Sequence, residues 1–327
     1  MHANPNRSEN SGRSTLIVII AVILLALPLF LSQRYLLRLM IEIMLFAALG
    51  ASWNIIGGYA GQLSLGHSAF VAMGAYTTGL LMLHFNVPPW AGVLPGVLLA
   101  AVVAYFLGKL VLRLRGPYLA LSTLAFGEIV RILLLHFKGI TGGPLGVSIP
   151  FKGNNLWRLQ FATEHVNYCI CLGLLIFCIY VTYKIHNSRM GYYLQAIREN
   201  QDAAEHLGIP ITETKNRALI ISAALTAVMG GFYLLFMTYV DPHDIAGLNL
   251  SIEIVLVSII GGVGTVWGPV IGACILIPLM EISNFVLGGG RAGASMLIYA
   301  VILIVVVLYT PKGLIALMPK LEGYRSE

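Results

Sequence analysis

Three stretches decide what this chain can fold into: Thr15 to Leu31, Tyr168 to Val181 and Met296 to Leu308 each run without one charged side chain. At helical rise such runs approach or reach the thickness of bilayer hydrocarbon. Of the 327 residues, 58% are hydrophobic and only 10% charged, which is far more apolar surface than one soluble core hides. The natural solvent is therefore a membrane. An all-α, polytopic transmembrane helical bundle is expected, because a spanning helix satisfies its own backbone hydrogen bonds.

Hydropathy places spans at 15–32, 36–56, 62–83, 90–112, 117–137, 166–184, 217–239, 250–262, 266–287 and 293–310, about ten in all, with 250–262 short for a full crossing. An even count with a cytoplasmic N-terminus returns the C-terminus to the cytoplasm. Arg7, Arg13, Lys109, Arg113, Arg115, Lys184, Arg189, Arg198, Lys215, Arg217, Lys312, Lys320 and Arg325 then fall inside, 13 of the 20 basic residues. Arg34, Arg38, Lys138, Lys152, Arg158 and Arg291 fall outside and Arg131 lies within a span, a bias in the direction that orients membrane proteins. Arg34 and Arg38 fit it worst. The organisation expected is a cytoplasmic tail over 1–14, a transmembrane domain over 15–310 and a cytoplasmic tail over 311–327. Arg7 and Arg13 before Leu16 to Leu31 resemble a secretory leader. That run is long for the role, and Ser32-Gln33-Arg34-Tyr35 lacks a small-x-small cleavage pattern, so an uncleaved first helix is expected.

A formal charge of +6 would suit nucleic acid only if its cations were clustered, and they are spread thinly between apolar runs. Cys169, Cys171, Cys178 and Cys274 all sit in apolar runs without a CxxC or Cys/His group, so packing is their expected role and no metal site is indicated. HExxH and GxSxG are both missing from the sequence, which argues against a membrane enzyme.

Two connections are long. The external one, 138–165, carries Thr141-Gly142-Gly143-Pro144, Pro150 and Trp157 and reads as turn-rich chain with an interfacial aromatic. The cytoplasmic one, 185–216, is charged. Leu194, Ile197, Ala204 and Leu207 alternate there with charges as one short helix would, stopped by Gly208 and Pro210.

The segment from Gly57 to Tyr76, GGYAGQLSLGHSAFVAMGAY, is built of small residues with Gln62, Ser64, His67 and Ser68 as polar members. Small residues let helices approach closely, and polar groups in hydrocarbon need a partner or a wet path. The Gly57-Gly58-Tyr59-Ala60-Gly61 interruption favours a pore-lining or gating helix, like the broken helices around transport pathways. Plain tight packing, with His67 bonded to a neighbouring carbonyl, is the alternative. Asn54-Ile55-Ile56-Gly57-Gly58 is echoed by Ser258-Ile259-Ile260-Gly261-Gly262, each followed by a further glycine, which reads equally as a parallel repeat or as chance. Among intramembrane charges, Glu128 and Arg131 share a helix face and neutralise each other, whereas Glu42 and Glu253 have no such local partner. An ion-gradient carrier would use Glu42, Glu128 and Glu253.

Asp202-Ala203-Ala204-Glu205 followed by Gly208 resembles the EAA-type coupling motif of ABC importer permeases. Together with RGPYLALSTLAFGEIVRI from Arg115, TGGPLGV from Thr141, AIRENQDAAEHLGI from Ala196, IGGVGTVWGPVIGA from Ile260 and the Gly57 segment, the chain resembles the LivM-type permeases of high-affinity branched-chain amino acid ABC transporters. The resemblance spans most of residues 50–315. It implies an alternating-access importer in which two related permeases form the pore, two cytoplasmic ATPases drive it and a periplasmic binding protein delivers Leu, Ile or Val. It also implies a bacterial inner-membrane location, with permeases for urea, amides or other amino acids as related possibilities. Carried onto this chain, Arg198, Glu199, Asp202, Ala203, Ala204, Glu205 and Gly208 would couple to an ATPase. Gly57, Gly58, Gln62, Ser64, His67, Ser68, Gly261 and Gly262 are the candidates for the translocation path. Asp202 stands where the motif has its first Glu and keeps the charge. ATP and Mg would bind the partner ATPases, since the sequence has no GxxxxGK[ST] loop.

Overall fold

The computed structural model describes residues 33–287, apart from 152, 154 and 162, together with 313–317. The expected spans at 15–32 and 293–310, the tail 1–14 and most of the tail 311–327 lie outside the described residues.

Helix α1 (Arg34–Asn54) passes directly into a π-helical turn at Ile55–Tyr59, and α2 (His67–His84) follows after a stretch without regular structure. Then come α3 (Pro89–Val111), α4 (Pro117–His136) and the short α5 (Lys138–Thr141). Beyond strand β1 (Val147–Ser148) lie α6 (Glu164–His186), α7 (Arg189–Glu199), α8 (Gln201–His206) and α9 (Ile211–Met237). Strand β2 (Tyr239–Val240), α10 (Pro242–Ile245), α11 (Leu248–Gly261) and α12 (Gly268–Leu287) complete the described order. The all-α reading holds apart from β1 and β2, which pair antiparallel with Val147 opposite Val240. This small ladder closes the end of the long connection that was read as turns alone.

Five of the described helices are long and apolar enough to cross a membrane: Arg34–Tyr59, Pro89–Val111, Pro117–His136, Glu164–His186 and Ile211–Met237. The structure moves the start of one span and bears out the expected shortness of another. The span set at 62–83 begins as helix only at His67, because Gly61 has φ +65° and the chain has no regular structure through Gly66. The 14 residues of α11 reach about 21 Å, less than the roughly 30 Å of hydrocarbon.

In the orientation expected from the basic residues, the inner end gathers the π turn, the loop before α4, α7, α8 and the turn after α11. Arg198 bonds Gly58, Arg115 pairs with Asp202, and Asn54 bonds Gly264. The outer end joins Arg158 to Asn86 and stacks Trp157 edge-on against Trp90 at 5.5 Å. Arg38 also lies there, 5.3 Å from the Phe236 ring centroid, and that aromatic face rationalises a cation on the disfavoured side.

The centre is made of α1, α2, α3 and α9, and glycine sets its spacing. A Cβ on Gly74 would strike the Ala227 carbonyl, one on Gly230 the Val71 carbonyl, and one on Gly96 would lie 3.2 Å from Gly74 Cα. Such close approach supplies dispersion where lipid removes the hydrophobic drive between helices. Cys171 and Cys178 are packed in the interior, while Cys169 and Cys274 are exposed, so packing describes only the first two.

Candidate functional site

The site is assembled at the two Gly-Gly interruptions. In the π turn, Gly57 lies against the Trp53 ring and Gly58 against the Asn54 amide, so neither position has room for a Cβ. Asn54 Nδ2 donates to the Thr265 carbonyl at 2.7 Å and Gly264 N–H donates to Asn54 Oδ1 at 2.9 Å. One amide thus satisfies a donor and an acceptor of the turn that follows α11. Ser258 Oγ donates to the Gly50 carbonyl at 2.9 Å, so residue numbers rise together along α1 and α11 and the two segments run parallel. The sequence echo is therefore matched by side-by-side placement. At the second interruption Gly261 abuts the Gly268 carbonyl and Gly262 has φ +133°.

His67 is fully buried at the start of α2. Ser222 Oγ donates to the Ser52 carbonyl at 2.6 Å, which uses its only proton. His67 Nε2, 2.8 Å from Ser222 Oγ, must then be the donor, and Nδ1 accepts from Ser64 Oγ at 3.2 Å. Both imidazole nitrogens are thus bonded to hydroxyls rather than to a carbonyl. Ser68 N–H donates to Ser251 Oγ at 3.0 Å and Ser251 Oγ donates to Ser68 Oγ at 2.8 Å, joining α2 to α11. Gln62 donates to its neighbour's carbonyl, Ala60 O. Of the path candidates, Gly57, Gly58, Ser64, His67, Ser68, Gly261 and Gly262 are all buried between helices and Gln62 is half-buried.

The charged loop is two helices rather than one. Asn200 adopts an extended conformation (φ −156°) and its Oδ1 accepts from Ala203 N–H at 3.0 Å, capping α8 while ending α7. Gly208, at φ +82°, stops α8 as its place in the sequence suggested. The break sorts the coupling candidates. Ala204 turns inward with Ile197 and Ile211, so only Ala203 of the Ala pair is open. Glu199, Asp202, Ala203, Glu205 and Gly208 are exposed, and Asp202 holds Arg115 at 2.8 Å. Arg198 is exposed as well, but its guanidinium reaches back toward the bundle. Its Nη1 donates to the Gly58 carbonyl at 2.9 Å, a Cβ on Gly61 would lie 3.1 Å from its Cγ, and one on Gly264 would strike the guanidinium. The side chain lies in a cradle made by glycines of both interruptions.

Arg131 binds both carboxylate oxygens of Glu128, the mutual neutralisation read from their spacing, and its Nη1 also donates to His243 Nδ1 at 2.9 Å. Glu42 does have a local partner, since Arg38 lies 3.7 Å away one turn earlier. Glu253 is half-buried and makes no ion pair among the described residues.

Several contributors were not singled out from sequence. Asn54 and Ser222 are polar residues in apolar runs, a signal that was available, although their partners lie 155 to 211 positions away. Lys215 is fully buried with Nζ 2.7 Å from Gln201 Oε1, a charge whose desolvation makes that bond necessary. Leu207, by contrast, reads from the sequence as part of the apolar stripe with Leu194, Ile197 and Ala204, yet it is 80% exposed, an apolar knob beyond α8.

Known proteins of similar sequence are transport permeases. The chain is 30% identical over 296 residues to the high-affinity branched-chain amino acid transport system permease protein LivM of Salmonella typhimurium, covering 83% of this chain and 68% of that protein. It is 22% identical over 321 residues to the probable LivM of Methanocaldococcus jannaschii, covering 84% and 91% of the two chains. LivH of Escherichia coli is 22% identical over 253 residues, covering 71% of this chain and 79% of that one. The family described as branched-chain amino acid transport system, permease component, matches residues 35–307, and this multi-pass membrane protein belongs to it.

Proposed function

We propose that this chain is one of two related pore-forming subunits of an ATP-driven importer for leucine, isoleucine and valine in a bacterial inner membrane. It moves substrate by alternating access and carries out no chemistry on it. A periplasmic binding protein delivers the amino acid. Two cytoplasmic ATPases bind ATP and Mg and dock on the loop 185–216, while the loop 138–165 faces the periplasm within a permease domain over 15–310. Both termini, 1–14 and 311–327, are cytoplasmic.

The observation that carries this reading is the two-sidedness of α7 and α8. Outward they offer Asp202, Ala203, Glu205 and Leu207, a small-residue step flanked by charge and an apolar knob. Inward, Arg198 holds the Gly58 carbonyl in the helix interruption. A partner that shifts the outward face thereby acts on the place where the membrane helices are broken. An ion-gradient mechanism is less well supported, because Glu42 and Glu128 are both engaged by arginines.

The test is co-purification with the partner subunits and uptake in reconstituted vesicles. Glu205→Arg and Leu207→Asp are exposed changes that should leave the permease folded, release the ATPases and abolish ATP-dependent uptake. Retention of both association and uptake would defeat the ATP-coupled reading.

A further inference from the structure

His67 lies beside Ser222, about 16 Å along α9 from Ile211, near the middle of the bundle. Ser68, the next residue, bonds Ser251 and the Ala246 carbonyl. The chain from β2 to α11 therefore descends from the outer end to mid-depth without a spanning helix, as loop broken only by the single turn α10, and α11 covers only the inner part of the depth. Backbone of this kind is tolerated at such depth only within protein or beside water.

Its side chains point the same way. His243, Asp244 and Asn249 are exposed, and Glu253 stands one turn beyond Asn249 on α11. Glu128 and Arg131 come from the adjacent α4, and Arg131 bonds His243 across the gap. Measured along α4, Glu128 lies about 16 Å from Pro117, well inside the hydrocarbon depth. Elsewhere the exposed surface is what acyl chains accept: on α3 it includes Leu94, Leu98, Leu99, Val102, Phe106 and Leu110, with the one cation, Lys109, near the inner end of the helix and over the Tyr105 ring. Ionisable groups at bilayer depth face a protein interior or a watery cavity.

We propose that the face shared by α4, α10 and α11 is a wall of the water-filled outer half of the translocation pathway, offering both signs of charge to a zwitterionic solute. This rests on the permease reading, which supplies the solute. The carboxylates of Asp244 and Glu253 suit an ammonium group, and the cation held between Glu128 and His243 suits a carboxylate. The small and polar residues of α2 then form the packing behind that wall rather than the wall itself.

Thiol labelling in the assembled transporter tests the proposal. Asn249→Cys and Ile252→Cys are placed on the face and Leu98→Cys on α3, with the unsubstituted chain as the blank for exposed Cys169 and Cys274. A charged, membrane-impermeant methanethiosulfonate should modify the first two about tenfold faster than the third, since a thiol reacts as its hydrated thiolate. Leucine with its binding protein should reduce the rate at Asn249→Cys. Rates as slow as at Leu98→Cys would overturn the proposal. So would labelling of the chain expressed alone that vanishes on assembly, which would make the face a contact with the second permease. Labelling reads hydration whether or not solute moves. A fast, leucine-insensitive reaction in a complex without leucine uptake would refute the solute and the transport reading while leaving a hydrated wall.

Discussion

The two Gly-Gly interruptions share a sequence pattern and lie side by side, yet they are built in opposite ways. The first, after α1, is rich in side chains: Trp53 covers Gly57, Asn54 reaches Gly264 and Thr265, and the His67 network closes the start of α2. The second, after α11, packs mostly backbone on backbone, with Gly261 against Gly268, Gly272 against the Val257 carbonyl and Gly313 against Gly262, and has one short side-chain clamp, Thr265 Oγ1, which donates to the Gly262 carbonyl and accepts from Gly268 N–H. One copy supplies reach and the other supplies room. A pattern of matched glycines therefore does not imply matched sensitivity to substitution.

The difference can be broken in order of expected effect. Gly261→Val adds bulk where the facing atoms are backbone and cannot yield, and should destabilise by about 3 kcal/mol or more. The readout is loss of the monodisperse peak in detergent; a well-folded variant would show that the second interruption has slack. Asn54→Ala removes a side chain from the first copy and strips partners from Gly264 N–H and the Thr265 carbonyl, at a cost of about 2 to 4 kcal/mol. Its melting temperature in nanodiscs should fall, and a cysteine at Thr265 should become more reactive. An unchanged melting curve would separate the two interruptions energetically.

Ser222→Ala leaves His67 Nε2 and the Ser52 carbonyl without their shared hydroxyl, for about 1 to 2 kcal/mol. A melting shift smaller than that of Asn54→Ala is expected, and the reverse order would place the keystone at His67. Arg115→Ala breaks only the solvent-exposed pair with Asp202, away from both interruptions, and should change stability by less than about 1 kcal/mol. A larger loss would mean that the loop before α4 shares the load.

Much of the bundle was legible because a spanning helix advertises itself by composition: α3, α4 and α6 lie within two residues of their expected bounds. The start of α2 was not, since Gln62 to Gly66 is as small and apolar as the helix it precedes and only the backbone angles set it apart. Glu42 has no partner in a reading that places Arg38 on the external side, whereas the structure puts the two within 3.7 Å one turn apart. In the candidate site, the residue types were visible and their directions were not. Whether Arg198 faces outward or inward depends on the break at Asn200, a single extended residue inside what periodicity reads as one helix. The partners of Asn54 and His67 are set by tertiary folding alone, which no local pattern encodes.

The inward direction of Arg198 has a mechanical meaning. Leu207, the most outlying apolar point of the loop, is nine positions from a guanidinium that rests on the backbone of the broken helices. Between them lie the short rod α8 and one articulation at Asn200. If the loop docks an ATPase as proposed, a push at the tip would travel as through a crank and arrive at a main-chain carbonyl rather than at a side chain that could swing aside. The stroke would then be delivered to the main chain itself.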